Sequence, residues 1–438
     1  MNRRMSLQGG TSSWAGINDL PNEILLHILF KTISYTQELH EWFFCVHQHS
    51  TTRVTIMKVC RRWFQLTQGS PKFWTSFTIG NPWGDPNKTE RITPRRELLE
   101  IGQARSGNWP IYINLYHGSF SAYPQDSIFM MTALSPSINR WGRIDLALDE
   151  GTASAFLDLH YSSTAGLKEI RACSFCSAET NNRLLEAFGL WPNLQKLVWI
   201  FATGLPTTDQ PTFHNRLCCF PWKHLRDISL EVSWTLTEFL AFFKSSTSAE
   251  IIRLNMRRHP TGSSDLPLHP IVNLPKLRYL GIESDSGVYC YVGYLNFPGI
   301  KCIALSQKIV SLGNSWGTDP SPIPSTEFQQ FLNRTARSAQ GMIVHGYPFS
   351  AAEAVRLFSN EDMLCIPVIE IDVGEAAAAA IVEHMKSNTS STIPVVKRQG
   401  RLVGWCHDEA SCRALNRILP SFDFKYHGWM HPYYPNHH

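Results

Sequence analysis

The chain is 438 residues long, 43% hydrophobic and 17% charged, with a formal net charge of +4. A chain of this size builds a hydrophobic core readily and has room for two or more domains, and its composition excludes wholesale disorder. The small net charge, with no long run of like charges, argues against a partner held by electrostatics alone, nucleic acid above all.

The first apolar stretch is broken by Asn18, Asp19 and Glu23, which is not the pattern of a secretory leader. No segment approaches the roughly 18 uninterrupted apolar residues of a membrane span. A soluble protein of the cytoplasm and/or nucleus is expected, without a membrane partner. The eleven cysteines then read as reduced thiols and not as a disulfide framework, and the sequons at Asn87, Asn333 and Asn388 are expected to be idle.

Residues 1–15 are polar and Gly/Ser-rich and are expected to be a disordered lead-in. Structure is expected from Ile17, with Asn18 or Asp19 capping and Pro21 opening a helix over about 21–30. Leu20, Ile24, Leu25, Ile28 and Leu29 share one face of it. A second helix is expected over 55–67, with Ile56, Val59, Cys60, Trp63, Phe64 and Leu66 apolar and Arg61 and Arg62 between them. Gly69, Ser70 and Pro71 stop it, and Phe73 and Trp74 open a further apolar piece reaching Ile79. The helical unit thus spans 16–80, carries an insertion at 31–53, and is followed by a linker over 81–100.

Beyond the linker an apolar triplet at spacing +3 and +2 recurs. It occurs at Pro110/Ile113/Leu115, Trp141/Ile144/Leu146, Leu167/Ile170/Ala172, Leu194/Leu197/Trp199 and Leu225/Ile228/Leu230. It continues at Ala249/Ile252/Leu254, Leu277/Leu280/Ile282, Ile300/Ile303/Leu305, Ala339/Met342/Val344 and Ile366/Ile369/Ile371. The starts lie 23 to 39 residues apart. A single triplet means little in a chain this apolar, whereas the spacing is informative. Each unit predicts one strand and a return segment, helical over 181–188 and 237–243, that cannot bury its own apolar face and must stack on its neighbours. The expected fold is an α+β repeat: a small helical N-terminus and an α/β solenoid over 101–425, ending in a tail over 426–438.

Three stretches resemble a known family. Leu20-Pro-Asn-Glu-Ile-Leu25, Val59-Cys-Arg-Arg-Trp63 and Ser70-Pro-Lys-Phe-Trp74 resemble, in that order, the F-box, which binds the Skp-family adaptor of cullin-based ubiquitin ligases. The downstream strands, with Ala104-Arg-Ser-Gly-Asn-Trp-Pro110, are similar to the degenerate leucine-rich-repeat-like bodies of fungal, mushroom-type F-box proteins. The insertion departs from that family, and with it the packing between the first two helices. The resemblance implies adaptor contacts by Leu20, Pro21, Ile24, Leu25, Ile28, Leu29, Val59, Cys60, Arg61, Trp63 and Trp74. It also implies a cullin scaffold reached through the adaptor and a protein substrate held by the repeats.

Independently of any family, these short helices carry more apolar surface than they can hide, so a partner must cover it or the unit must cap the repeat body. Arg61 and Arg62 are expected at the rim of that partner, steering an acidic adaptor. In the repeats, residues between the triplet positions face away from the core. Lys196, Val198, Asp227, Ser229, Arg253, Tyr279 and Gly281 are therefore the candidates for a target-facing surface.

Candidate chemistry is sparse. Cys173 and Cys176 have the spacing of half a zinc site, but Cys218 and Cys219 do not repeat it. His427, His431, His437 and His438 in the tail, and Glu41, Cys45, His47 and His49 in the insertion, are read as packing or terminal residues. No nucleophile elbow, P-loop, HExxH or dinucleotide fingerprint occurs. The expectation is a non-enzyme without metal or cofactor: the substrate-recognition subunit of an SCF-type ligase in ubiquitin-dependent degradation. A ligase-independent scaffold bound to the adaptor is the alternative, and an enzyme or metal module built on the cysteines and histidines is a third class.

Overall fold

The apolar triplets fold as parallel strands. In the computed structural model the described residues are 16–35, 44–45, 52–79, 96–115, 124–159, 166–201, 220–232, 234–256, 270–284, 289–307, 325–345, 350–358, 366, 368–373, 379–380, 383, 401–406 and 425–426. The lead-in, most of the insertion, residues 81–95 and the tail beyond Tyr426 lie outside them. The chain divides into two compact units, Met1–Leu167 and Lys168–His438. Each is a parallel sheet with helices, an α/β architecture.

In the first unit, β1 (Phe44–Cys45), β2 (Ser76–Ile79), β3 (Ile111–Leu115) and β4 (Trp141–Leu148) pair side by side, all parallel. The sheet thus begins inside the stretch expected to be helical. Residues 96–100, expected as linker, open the helix Arg96–Ser106. Phe77, Ile113 and Ile144 lie in register, as do Ile79, Leu115 and Leu146.

One triplet is displaced. The register shifts between Ile111 and Tyr112, pairing Ile111 with Trp141 and Tyr112 with Arg143. Ile111 is therefore the buried first residue and Pro110 is exposed. Gly102 lets the neighbouring helix close on Phe77, whose ring would lie 2.4 Å from an added Cβ. Gly107, at φ 55°, ends that helix in the left-handed conformation suited to glycine. Arg140 donates to Ser106 Oγ at 3.0 Å, to Gln103 O at 3.5 Å and to Gly107 O, satisfying carbonyls at the helix end.

In the second unit the strands are β5 (Glu169–Ser174), β6 (Lys196–Phe201), β7 (Asp227–Val232), β8 (Ile251–Met256), β9 (Val272–Asn273), β10 (Tyr279–Ser284), β11 (Leu295–Asn296), β12 (Cys302–Gln307), β13 (Gly341–His345), β14 (Val368–Val373), β15 (Arg401–Cys406) and β16 (Lys425–Tyr426). All but β9 and β11, which pair with each other, join one sheet in chain order. The triplets set its register. Ile170, Leu197, Ile228, Ile252, Leu280, Ile303 and Met342 form one row across it. Ala172, Trp199, Leu230, Leu254, Ile282, Leu305 and Val344 form the next. Every member of both rows is at most 2% exposed, and a fully buried aliphatic side chain stabilises by about 1.5–3 kcal/mol. Beyond the last expected triplet, β15 continues the rows, Leu402 opposite Ile369 and Gly404 opposite Ile371.

The odd +3 step has a local cause. The first triplet residue closes a turn just before its strand: Leu194 N donates to Trp191 O at 3.2 Å, Leu225 N to Trp222 O at 3.0 Å and Ile300 N to Phe297 O at 3.2 Å. The turn brings that residue back to the core face, which alternation in a straight strand would deny it. Return helices run over Ala178–Gly189, Leu236–Ser245, Ser325–Thr335 and Ala351–Phe358. Reciprocal caps start two of them: Thr235 N donates to Glu238 Oε2 at 2.8 Å and Glu238 N to Thr235 Oγ1 at 3.3 Å, and the same exchange joins Ser350 and Glu353 at 2.9 and 3.3 Å.

Candidate functional site

The N-terminal helices expose an apolar surface of limited extent. A turn over Ile17–Asp19 precedes the helix Asn22–Tyr35. Pro21 sits just before the helix, its carbonyl accepting from Leu25 N at 2.9 Å, and Asp19 caps the preceding turn by accepting from Gly16 N at 2.7 Å. The expected second helix is two, Thr52–Val59 and Arg61–Gly69, broken at Cys60, whose backbone is extended at φ −159° and ψ 168°.

The second piece is tied to the first turn. Arg62 donates to Asn22 Oδ1 at 2.8 and 3.1 Å and to the carbonyls of Asn18 and Leu20, and Trp63 Nε1 donates to Asn18 Oδ1 at 3.0 Å. Arg62 is therefore a clamp within the unit and not a rim cation, while Arg61 is exposed.

The residues singled out from the sequence divide by burial. Leu25, Leu29 and Trp74 are 0%, 2% and 4% exposed and offer no contact surface. Trp74 donates to Thr67 O at 3.0 Å and lies under the Arg105 guanidinium, 4.5 Å from its ring; Phe73 beside it stacks on Phe30 at 4.2 Å. Ile24 and Val59 are half exposed and Pro21 is exposed, with Leu20, Ile28, Cys60 and Trp63 intermediate. Ile17 and Phe64 are exposed as well. Phe64 lies in the apolar face read for the second helix and Ile17 marks where structure is expected to begin, and neither is among the contact residues named from the sequence.

In the second unit all the outward candidates share one face of the sheet. Lys196, Asp227 and Tyr279 belong to the row Glu169–Lys196–Asp227–Ile251–Tyr279–Cys302. Val198, Ser229, Arg253 and Gly281 belong to the next, which starts at Arg171.

The charges on this face pair with one another. Arg171 lies 2.8 Å and Lys196 3.4 Å from Glu169 Oε1; Asp227 accepts from Lys196 at 3.0 Å and from Arg253 at 2.8 Å. The Arg253 guanidinium also sits 5.3 Å over the Tyr279 ring. Burial, then the neighbouring Cys302 charge, pushes the Tyr279 hydroxyl up, against the pull of Arg253. The result is a neutralised mosaic, a surface suited to shape recognition more than to attracting charge.

Further along the strands Cys173 pairs with Ile200, and Glu231, Asn255, Glu283 and Ser306 follow in register. Burial, with a smaller contribution from Glu231, raises the Cys173 thiol, which disfavours the reactive thiolate. Cys173 and Cys176 are unlinked thiols, and Cys176 is buried. Among the described residues no group of three or more His, Cys, Asp or Glu could hold a metal, and no helix is long and apolar enough to cross a membrane. The histidines of the insertion and the tail, Glu41, Cys218 and Cys219 lie outside those residues. A scan against protein-family models finds no match, and a search of curated proteins finds no significant relative.

Proposed function

We propose that this chain is a non-catalytic recognition subunit of an SCF-type cullin ubiquitin ligase. Its N-terminal helices dock a Skp-family adaptor, and its repeat body, an α/β solenoid of leucine-rich-repeat type, holds the protein to be modified. One observation carries the reading: the residues that resemble the F-box leave Ile24 and Val59 half exposed, while the clamp of Arg62 and Trp63 on Asn18 orders the segment that bears them. Apolar side chains held at a surface are what a helix-docking interface uses.

The contribution of the chain is proximity. It raises the concentration of substrate lysines near a conjugating enzyme carried by other subunits, and makes or breaks no bond itself. In the ligase-independent alternative the adaptor is bound but no cullin follows. Leu20→Ala combined with Ile24→Asp is expected to abolish pull-down of the adaptor and of any cullin, since truncated hot spots cost upwards of about 2 kcal/mol, with an unchanged melting temperature. Undiminished pull-down by the folded variant refutes the assignment, and adaptor without cullin in the wild-type pull-down selects the alternative.

A further inference from the structure

In the second unit the residue immediately before each of β6, β7, β8, β10 and β12 is placed by a repeated backbone bond. Gln195 N donates to Lys168 O at 2.9 Å, Arg226 N to Gln195 O at 2.8 Å and Glu250 N to Arg226 O at 2.8 Å; Arg278 N donates to Glu250 O and Lys301 N to Arg278 O, both at 2.8 Å. These six positions therefore stack as neighbours along the N-terminal edge of the sheet, about 4.8 Å apart and about 24 Å end to end.

Lys168, Arg226, Arg278 and Lys301 are exposed there. Arg226 approaches Glu250 only at 3.9 Å, its own side chain largely in solvent and that of Glu250 partly so. Lys168, Arg278 and Lys301 have no carboxylate partner among the described residues. Lys223 and Lys276, also exposed, precede Arg226 and Arg278 by two or three residues. The adjoining sheet face differs, since its cations Arg171, Lys196 and Arg253 are engaged by Glu169 and Asp227.

From this we propose that the N-terminal edge of the second sheet is a docking site for an acidic, extended protein segment of about seven residues, the length that spans the row at about 3.3 Å per residue. Solvated cations in a fixed row attract carboxylates, and Lys168, Arg278 and Lys301 can exchange water for them without breaking an ion pair among the described residues, while Arg226 gives up only its long contact with Glu250. A protein segment fits better than nucleic acid: Glu250 interrupts the row where a phosphate chain needs continuous positive charge, and the row holds no aromatic side chain on which a base could stack.

The inference deepens the reading of the repeat body as the part that holds the target, and makes an acidic stretch the feature by which that target is known. It is tested with the purified full chain by fluorescence anisotropy. The probes are a labelled peptide of about ten alternating Glu and Ser residues, its Gln/Ser counterpart and a single-stranded oligonucleotide.

The acidic peptide is expected to bind at least about tenfold more tightly than the neutral one and to weaken with salt. The triple variant Arg226→Gln, Arg278→Gln, Lys301→Gln is expected to lose about tenfold or more, while Lys244→Gln, on the exposed side of a return helix, leaves binding unchanged. Single variants, each losing about two- to fivefold, serve should the triple fail to fold. Equal binding of the two peptides, or an unaltered triple variant, overturns the proposal. So does tighter binding of the oligonucleotide that the same triple removes. None of these outcomes touches adaptor pull-down, so failure here and failure of the ligase reading are separable.

Discussion

The N-terminal helices and the strand rows of the second unit use similar apolar residues to opposite effect. In the rows from Ile170 to Met342 and from Ala172 to Val344 every patterned position is buried, because each strand is covered by the next copy of itself. In the helix Asn22–Tyr35 adjacent positions part company: Leu25 is 0% and Ile24 50% exposed. A periodic apolar residue is core where the repeat supplies its own cover. Where the repeat has not begun, part of the pattern is left at the surface.

That contrast can be broken by substitution. Leu197→Ala, at the centre of a row, is expected to destabilise the second unit by about 2–5 kcal/mol in denaturant unfolding, while Ile24→Ala changes stability by less than about 0.5 kcal/mol. Equal costs would mean that Ile24 is covered within the protein. A smaller loss is expected for Arg62→Ala, about 1–3 kcal/mol in the first unit, from carbonyls left without their donor. Amide exchange at the Ile17–Asn22 turn should rise with it and leave the second unit untouched.

The smallest effect is electrostatic. Burial holds the Cys173 thiol above its ordinary value of 9.0, so the folded chain keeps a proton that the unfolded chain gives up. Its stabilising effect is complete below that value and declines as pH rises through it. Unfolding at pH 8 and pH 10 should therefore show a fall that is shallower in Cys173→Ala. An identical fall in both would assign the alkaline loss to Tyr279 and other groups.

Much of this architecture was legible from residue spacing. The triplets carry their own register, since a +3, +2 step is compatible with one turn and one strand, and repetition at similar intervals leaves parallel stacking as the way to bury them. The helices over 181–188 and 237–243 were legible by their period and lie inside Ala178–Gly189 and Leu236–Ser245. What escaped were local irregularities. The break at Cys60 has no glycine or proline at the point of change, and the bulge that promotes Ile111 over Pro110 falls at Gly142, where a glycine is compatible with a bulge without saying which pairing it interrupts.

The same division holds for the candidate surfaces. The sequence determined which positions alternate outward, and Lys196, Val198, Asp227, Ser229, Arg253, Tyr279 and Gly281 do share a face, because side-chain alternation is a property of the strand itself. Only the tertiary structure decided that Leu25, Leu29 and Trp74 are interior, that Arg62 is a clamp, and that Glu169 and Asp227 neutralise the cations beside them while Lys168, Arg278 and Lys301 have no carboxylate partner among the described residues. The reason is physical. Apart from Arg171 and Glu169, which lie two residues apart on one strand, the ion pairs of this face join neighbouring strands, as Arg253 and Asp227 do across 26 positions, and those distances exist only once the strands have stacked.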